Sequence, residues 1–317
     1  MKQSLSVVMP VYNEGAIIRA GVLRTHQVLE QAGIPHDFVL VDDGSCDDTW
    51  PQLTALADDL PVVRAVRLSR NFGKEGAMVA GLDRAQGDAA VLMDCDMQHP
   101  PEALPEMVRL WRNGAQVVEG KKRTRGRESL LHRWAANGFY GLLRRSSGIN
   151  LRDASDFRLL DRSAIEAWKR MPERQTFFRA MSSWVGFERA QVAFDVADRA
   201  GGTSRFSLAK LLGLALHAIV SFSAAPLQLV TLAGGVLLTL FVLLGAQTLY
   251  MKAVGRAVAG FTTVILLQLI IGGILLVGLG IIGVYIAKIY EEVKGRPRYL
   301  VRADTADKEE AGDDRVR

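Results

Sequence analysis

The sequence predicts an α/β fold: a Rossmann-like domain with a mostly parallel sheet, then an interfacial amphipathic helix and two C-terminal transmembrane helices. Three observations carry this expectation. Short apolar runs alternate with helical stretches through the first 120 residues, a polar cluster follows each apolar run, and two long charge-free segments come later in the chain. Strand–helix alternation favours right-handed βαβ units around a parallel sheet. A helix needs roughly 20 apolar residues to cross a bilayer.

The elements follow in order. Residues 5–11, 37–41, 62–68 and 89–93 read as strands, apolar on both faces and so suited to a sheet buried on both sides. Between them, 15–32, 49–58, 74–86 and 101–113 read as helices. Thr49 and Asp47 are expected helix N-caps, and Pro101 suits a first helical turn. Residues 207–222 place Leu208, Leu211, Leu212, Ala215, Leu216 and Ile219 at helical spacing, with Lys210, His217 and Ser221 opposite. That is the pattern of a helix lying in a headgroup layer.

No Asp, Glu, Lys or Arg occurs from Leu211 to Met251 or from Ala257 to Ala287. Two spans therefore fit, near 227–251 and 261–287. The organisation expected is 1–206 α/β domain, 207–225 juxtamembrane helix, 226–288 two spans, and 289–317 a tail with a disordered acidic end. That end is drawn to include Asp304, Asp307, Glu309, Glu310, Asp313 and Asp314. The opening residues do not read as a signal peptide. Positive charge behind the second span (Lys288, Lys294, Arg296, Arg298, Arg302) exceeds that in the loop between the spans (Lys252, Arg256). By the positive-inside rule both termini and the large domain are expected to be cytoplasmic. Two cysteines, Cys46 and Cys95, without a CxxC pair suit a reducing compartment and no structural zinc. A net charge of +5 suits anionic lipid or phosphate ligands, and no aromatic–basic platform points to nucleic acid.

The chemistry sits where the strands end. Asn13-Glu14 follows the first strand, Asp42-Asp43 the second, Ser69-Arg70-Asn71 the third and Asp94-Cys95-Asp96 the fourth. All four clusters fall at the carboxyl edge of one sheet, where open α/β folds bind ligands. Two carboxylates separated by one residue, as in Asp94 and Asp96, suit a hard divalent cation shared with diphosphate oxygens. A carboxylate near a nucleotide accepts hydrogen bonds from base or ribose, and Tyr12 offers a flat face to a base. His99, before Pro100, reads more readily as a structural residue than as a metal ligand. Trp184 reads as core and Arg144-Arg145 as a helix-surface pair. The run Lys121-Lys122-Arg123-Thr124-Arg125-Gly126-Arg127 reads as a mobile basic lid for phosphate.

The segments MPVYNE, VDDGSCDDT, RNFGKEGA and DCDMQHPP, in this order and spacing, resemble the family 2 glycosyltransferases of GT-A fold. Within them the likeness is greatest to the polyprenyl-phosphate glycosyltransferases. It continues through Ala154-Ser155-Asp156-Phe157-Arg158-Leu159, through Arg199-Ala200-Gly201-Gly202-Thr203-Ser204-Arg205, which is similar to an RxxGESK segment, and through 289–297. Thr203 stands where that segment has Glu, and Arg205 where it has Lys.

The resemblance implies that Pro10, Tyr12, Glu14, Val41, Asp43, Asp94 and Cys95 bind a nucleotide-sugar. Lys122, Arg199 and Arg205 would add basic contacts to its phosphates. Asp94, Asp96 and Gln98 would hold Mg²⁺ or Mn²⁺, and Asp156 and Asp96 would be the catalytic pair. Lys74, Arg123, Arg125 and Ser204 would meet the acceptor phosphate. The implied reaction is inverting transfer of a hexose, first of all glucose from UDP-glucose, to undecaprenyl or another polyprenyl phosphate. The implied setting is a bacterial inner membrane, with association of copies through the spans. A processive polysaccharide synthase would be expected to carry a QxxRW-type motif and more spans, and 173–178 does not supply that motif. A non-catalytic scaffold would not need carboxylates at every strand end.

Overall fold

The structure is a computed structural model that describes residues 3–122, 156–171, 178, 186–195, 225–255 and 260–307. Its elements are β1 (Leu5–Val11), α1 (Gly15–Gln31), β2 (His36–Asp42), α2 (Thr49–Asp59), β3 (Val63–Leu68), α3 (Lys74–Arg84) and β4 (Ala89–Leu92). A 3₁₀ turn (Pro101–Ala103) leads into α4 (Leu104–Arg112), followed by β5 (Val117–Lys122), β6 (Arg158–Asp161), α5 (Arg162–Lys169) and β7 (Arg189–Phe194). Then come α6 (Ala225–Ala253), α7 (Phe261–Val293) and β8 (Val301–Asp304).

Eight strands form one mixed sheet in the order β7-β5-β6-β4-β1-β2-β3-β8. The parallel block β4-β1-β2-β3 is the one the strand–helix alternation predicts. Every residue of β1 is buried, because helices cover both faces of the sheet. One face packs Ile18, Val22 and Leu29 of α1 and Leu53 and Leu56 of α2 against Val7, Met9, Phe38 and Leu40. The other packs Ala77, Met78 and Leu82 of α3 with Val8, Val39, Val41 and Leu92. Each large aliphatic side chain fully buried in this way contributes about 1.5–3 kcal/mol relative to its exposed state.

Two helix starts refine the sequence expectations. The residue at the N-cap of α2 is Asp48, yet its side chain makes no capping bond. Asp47 Oδ1 instead accepts from Thr49 N at 3.0 Å and Thr49 Oγ1 at 2.6 Å, so Asp47 holds the first turn in place. Pro101 opens the 3₁₀ turn ahead of α4, where its missing N–H costs nothing.

The acidic C-terminal stretch is corrected at its start. Asp304 is not part of a disordered tail. It is buried at the end of β8, which pairs antiparallel with β3. Its carboxylate takes Arg64 Nε at 2.9 Å, Arg64 Nη2 at 2.8 Å and Arg84 Nε at 3.0 Å. Tyr299 Oη donates to Asp83 Oδ2 at 2.8 Å, and the Arg84 guanidinium lies 5.6 Å from the Tyr299 ring centroid. Composition alone assigned this carboxylate to solvent, whereas two guanidinium groups offset the cost of removing it from water. Residues 308–317 lie outside the described residues.

The helices α6 and α7 contain candidate spans over Val230–Ala253 and Ile270–Val293, with mean hydropathy 2.0 and 2.5. Many of their described leucines and valines are exposed, among them Leu238, Val242, Leu276 and Val277. The amphipathic segment 207–222 lies outside the described residues.

Candidate active site

The loops at the carboxyl ends of β1–β4 surround a cleft of about 290 Å³, lined by Pro10, Val11, Tyr12, Glu14, Asp43, Asn71, Gly73, Lys74, Ala77, Asp94 and Asp96. Four of these residues are carboxylates and one is a lysine. Tyr12 is 46% exposed and presents its ring at the rim.

Asp42 and Asp43 divide the work. Asp42 is fully buried. Its Oδ1 accepts Ser45 N at 2.8 Å, and Arg67 Nε lies 3.2 Å from its Oδ2, so it builds the turn and does not face the cleft. Asp43 accepts Phe72 N at 2.7 Å on Oδ1 and Gly73 N at 2.9 Å on Oδ2. Its carboxylate thus ties the β2 loop to the β3 loop at the start of α3. Burial pushes its pKa up, against the lowering effect of those two N–H bonds. Gly44 sits at φ +72°, and a Cβ there would stand 2.5 Å from the Arg70 carbonyl carbon. Only glycine permits that approach. Gly73, at φ +88°, points its N–H at Asp43 from a conformation that L side chains rarely adopt.

The first loop is cross-braced in the same way. Asn13 has φ +54°, its N–H donates to Ser45 Oγ at 2.9 Å, and its Oδ1 accepts Cys46 N at 2.9 Å. Glu14 N donates to Thr49 Oγ1 at 3.0 Å. The Glu14 carboxylate accepts the Cys95 thiol at 2.5 Å. Burial raises the Glu14 pKa, and the nearby Asp96 and Asp94 charges add to the rise. Burial likewise drives the Cys95 thiol up, with the Glu14 charge reinforcing it, so Cys95 stays a donor.

Asp94 and Asp96 lie beyond β4. Asp96 Oδ1 accepts Gln98 N at 3.0 Å, and Met97 between them has φ +61°. His99 is buried, stacks on Phe157 at 4.9 Å between centroids, and accepts Asp94 N at 3.1 Å on Nδ1. It shapes the Asp94 backbone, in line with the structural role expected of it.

Asp156 reaches this site through an antiparallel strand. β6 pairs with β4 so that Arg158 faces Leu92. The residue two before Arg158 is thereby carried alongside the residue two beyond Leu92. Lys74 Nζ then lies 2.6 Å from Asp94 Oδ1 and 3.1 Å from Asp156 Oδ2. Burial works against the ammonium, but the two carboxylates outweigh it and hold the Lys74 pKa above the ordinary lysine value.

The sequence-predicted residues therefore divide. Pro10, Tyr12, Glu14, Asp43, Asp94, Asp96 and Lys74 line one cleft, and Asp156 joins it through Lys74. Val41 and Cys95 do not line it. The Val41 side chain is buried against α3, and Cys95 is buried beneath Glu14, which it supports. Strand alternation explains Val41, since residues next to one another face opposite sides of the sheet. Gln98 is absent from the lining and meets Asp96 through its backbone. Lys122 ends β5, while Arg123, Arg125, Arg199, Ser204 and Arg205 lie outside the described residues. Val11, Gly73 and Ala77 line the cleft without any polar signal that would single them out. Asn71 belonged to a recognised polar cluster.

Residues 6–168 match the model of "Glycosyl transferase family 2". The chain belongs to that family. Among its relatives, an uncharacterized glycosyltransferase of Synechocystis sp. is 38% identical over 304 residues, covering 95% of each chain. The SfII prophage-derived bactoprenol glucosyl transferase of Shigella flexneri is 37% identical over 300 residues, covering 94% of this chain and 97% of that one. Among solved structures, glucosyl-3-phosphoglycerate synthase from Mycobacterium tuberculosis in complex with Mn²⁺ and UDP-glucose is 20% identical. It covers 69% of this chain and 77% of that one, with a TM-score of 0.46. As a member of the family this chain is a glycosyltransferase, and its mixed, mostly parallel α/β domain is the GT-A arrangement that its motifs resembled.

Proposed function

We propose that this glycosyltransferase moves glucose from UDP-glucose to the phosphate of undecaprenyl or a related polyprenyl phosphate, with inversion at the anomeric carbon. The observation that carries this reading is likeness along 94% of the chain, apolar helices included, to a protein named for bactoprenol glucosyl transfer. A likeness confined to the catalytic domain would support only a sugar donor. One that includes two exposed apolar helices supports a lipid acceptor as well.

The donor set in the cleft fits a hard divalent cation. Glu14, Asp94 and Asp96 line one cleft as carboxylates, and Lys74 is the one basic residue among the described residues that line it. Asp94 and Asp96, with Gln98 beside them, would hold Mg²⁺ or Mn²⁺. Such an ion, when bound, neutralises negative charge on the departing diphosphate.

The remaining work belongs to side chains. Tyr12 offers its ring to the base at the rim, and Asp43 fixes the loop that faces the nucleotide. A phosphate oxygen of the lipid attacks the anomeric carbon, and the bond to the diphosphate breaks with its electron pair leaving on the nucleotide. A phosphate monoester has a second pKa near 6 and is largely dianionic at neutral pH. A strong general base is therefore less necessary than for a sugar hydroxyl acceptor, and positioning with charge neutralisation supplies most of the rate. In this reading Asp156 orients the reactants through Lys74, and the Lys74 ammonium meets phosphate. Lys122, Arg123, Arg125, Arg199, Ser204 and Arg205 are the further phosphate contacts of this reading.

We assign the setting to a bacterial inner membrane, with the catalytic domain and both termini cytoplasmic. The pairing of β8 with β3 supports one part of this reading, that the two flanks of the helical segment lie on the same side, because the chain beyond α7 rejoins the sheet that precedes α6. A chain that crosses a bilayer between these strands must cross an even number of times. Self-association through the helices is the remaining part of the proposal.

The test is a panel of radiolabelled nucleotide-sugars given to the full chain with undecaprenyl phosphate and Mg²⁺ or Mn²⁺. Label from UDP-glucose is expected in organic-extractable lipid. Label appearing only in polymer, or entering lipid only from another sugar, would reject the corresponding part of the proposal.

A further inference from the structure

We propose that His26, Glu30 and His36 form a divalent transition-metal site, for zinc in the first instance, at the sheet edge opposite the catalytic cleft. His26 and Glu30 lie four residues apart near the end of α1, and so share a helix face. His36 opens β2. The link between helix and strand is short and fully bonded: Gly33 N donates to Glu30 O at 3.0 Å and Ile34 N to Leu29 O at 3.0 Å. That turn returns His36 to the last turn of α1. One ligand atom from each of the three residues falls within 4.8 Å of the other two.

The hydrogen bonds already set one ligand's tautomer. His36 Nδ1 lies 2.7 Å from Ile34 O. A carbonyl only accepts, so Nδ1 carries the hydrogen and Nε2 carries the lone pair. A ring N–H donated to a backbone carbonyl is the outer-shell arrangement that orients metal-binding histidines. The His36 ring is also packed edge-on to Phe38, with centroids 5.5 Å apart.

His26 Nδ1 stands 2.8 Å from His36 Nε2. In a tetrahedral site with Zn–N of about 2.0–2.1 Å, two nitrogens sit about 3.3 Å apart. The pair thus opens by about half an ångström to admit zinc, with the His26 proton moving to Nε2. Two imidazoles and a carboxylate suit zinc and neighbouring first-row metals better than Mg²⁺, which prefers oxygen alone. The fourth position is left to water, since Glu30 is exposed and both histidines are only half-buried.

The experiment uses the full chain in detergent, stripped with EDTA and then titrated with Zn²⁺ by calorimetry, with bound metal counted after dialysis. The double variant Asp94→Asn, Asp96→Asn removes the two cleft carboxylates assigned to the catalytic cation and is expected to retain one zinc. His26→Gln, His36→Gln and the surface variant Glu30→Gln, made in that background, are each expected to weaken that zinc by tenfold or more. Glu30→Gln keeps the test decisive if a histidine variant misfolds. Unchanged zinc affinity in Glu30→Gln and in the folded histidine variants, or no zinc retained by the double cleft variant, would overturn the proposal.

Discussion

Replacing Lys74 with methionine should lower turnover while making the enzyme less demanding of divalent metal. Lys74 Nζ sits between Asp94 Oδ1 at 2.6 Å and Asp156 Oδ2 at 3.1 Å. The three side chains are 41%, 30% and 14% exposed, so the pairs are neither fully solvated nor buried. Exposed pairs are worth about 0–1 kcal/mol and broken buried pairs cost about 3–5 kcal/mol. An intermediate value of about 1–2 kcal/mol is therefore expected for each carboxylate that loses its counter-charge. The same unbalanced charge at Asp94 favours a cation. At about 1.4 kcal/mol per decade, the metal concentration for half-maximal rate should fall roughly 5- to 30-fold. Turnover moves the other way, because a fixed donor to developing phosphate charge is typically worth about 10²–10³-fold. The assay is the initial rate of lipid-linked sugar formation against metal concentration at saturating donor. Turnover within about threefold of wild type, or a higher metal requirement, would refute this account of Lys74. Lys74→Arg keeps the charge with a different donor fork and should fall between the two.

Three further outcomes follow from the geometry. Asp156→Asn should cripple turnover, by roughly 10²-fold or more, and leave donor affinity nearly unchanged, because Asp156 reaches the cleft through Lys74; single-turnover rates with donor titration check this. Glu14→Gln should raise the melting temperature at neutral pH. Burial lifts the Glu14 pKa above 4.5, so the folded protein holds this proton more tightly and loses stability as pH rises through the folded value. The advantage of the variant should therefore vanish as pH falls below about 4.5, and a pH-independent difference would count against it. Asp304→Asn should cost about 3 kcal/mol and expose 301–304 to hydrogen exchange, since it leaves Arg64 and Arg84 without their shared carboxylate. Burial opposes ionisation at Asp304, but those arginines hold its pKa below the ordinary value. Its stabilisation is thus present above about pH 3.8 and lost as pH falls through the folded value; an acid melt of the variant should lack that step.

Much of the catalytic domain was legible because its signals are local. Continuous apolar runs mark strands buried on both faces, and each carboxylate cluster falls one or two residues past such a run. The sequence alone brings Glu14, Asp43, Asp94 and Asp96 together, since parallel strands put their carboxyl ends at one edge. Where the structure adds to the sequence, the reasons are specific to single residues. The family resemblance implies a nucleotide contact at Val41, and strand alternation turns its side chain into the core. Cys95 sat between two site carboxylates and proved to be a buried donor to a third. Asp304 was read from an acidic neighbourhood, although its partners, Arg64 and Arg84, lie more than 200 residues away.

The sequence by itself determined the order of strands and helices in the parallel block, the edge where ligands meet it, and two segments apolar enough to enter a bilayer. Hydrophobic period, turn chemistry and charge act over a few residues and can be read along one line. Only the tertiary structure decided that β6 runs antiparallel to β4 and brings Asp156 beside Asp94, and that β8 returns to close the edge at β3. Strand register depends on which surface is free to accept a partner. That property belongs to the folded sheet and has no signature in either strand alone.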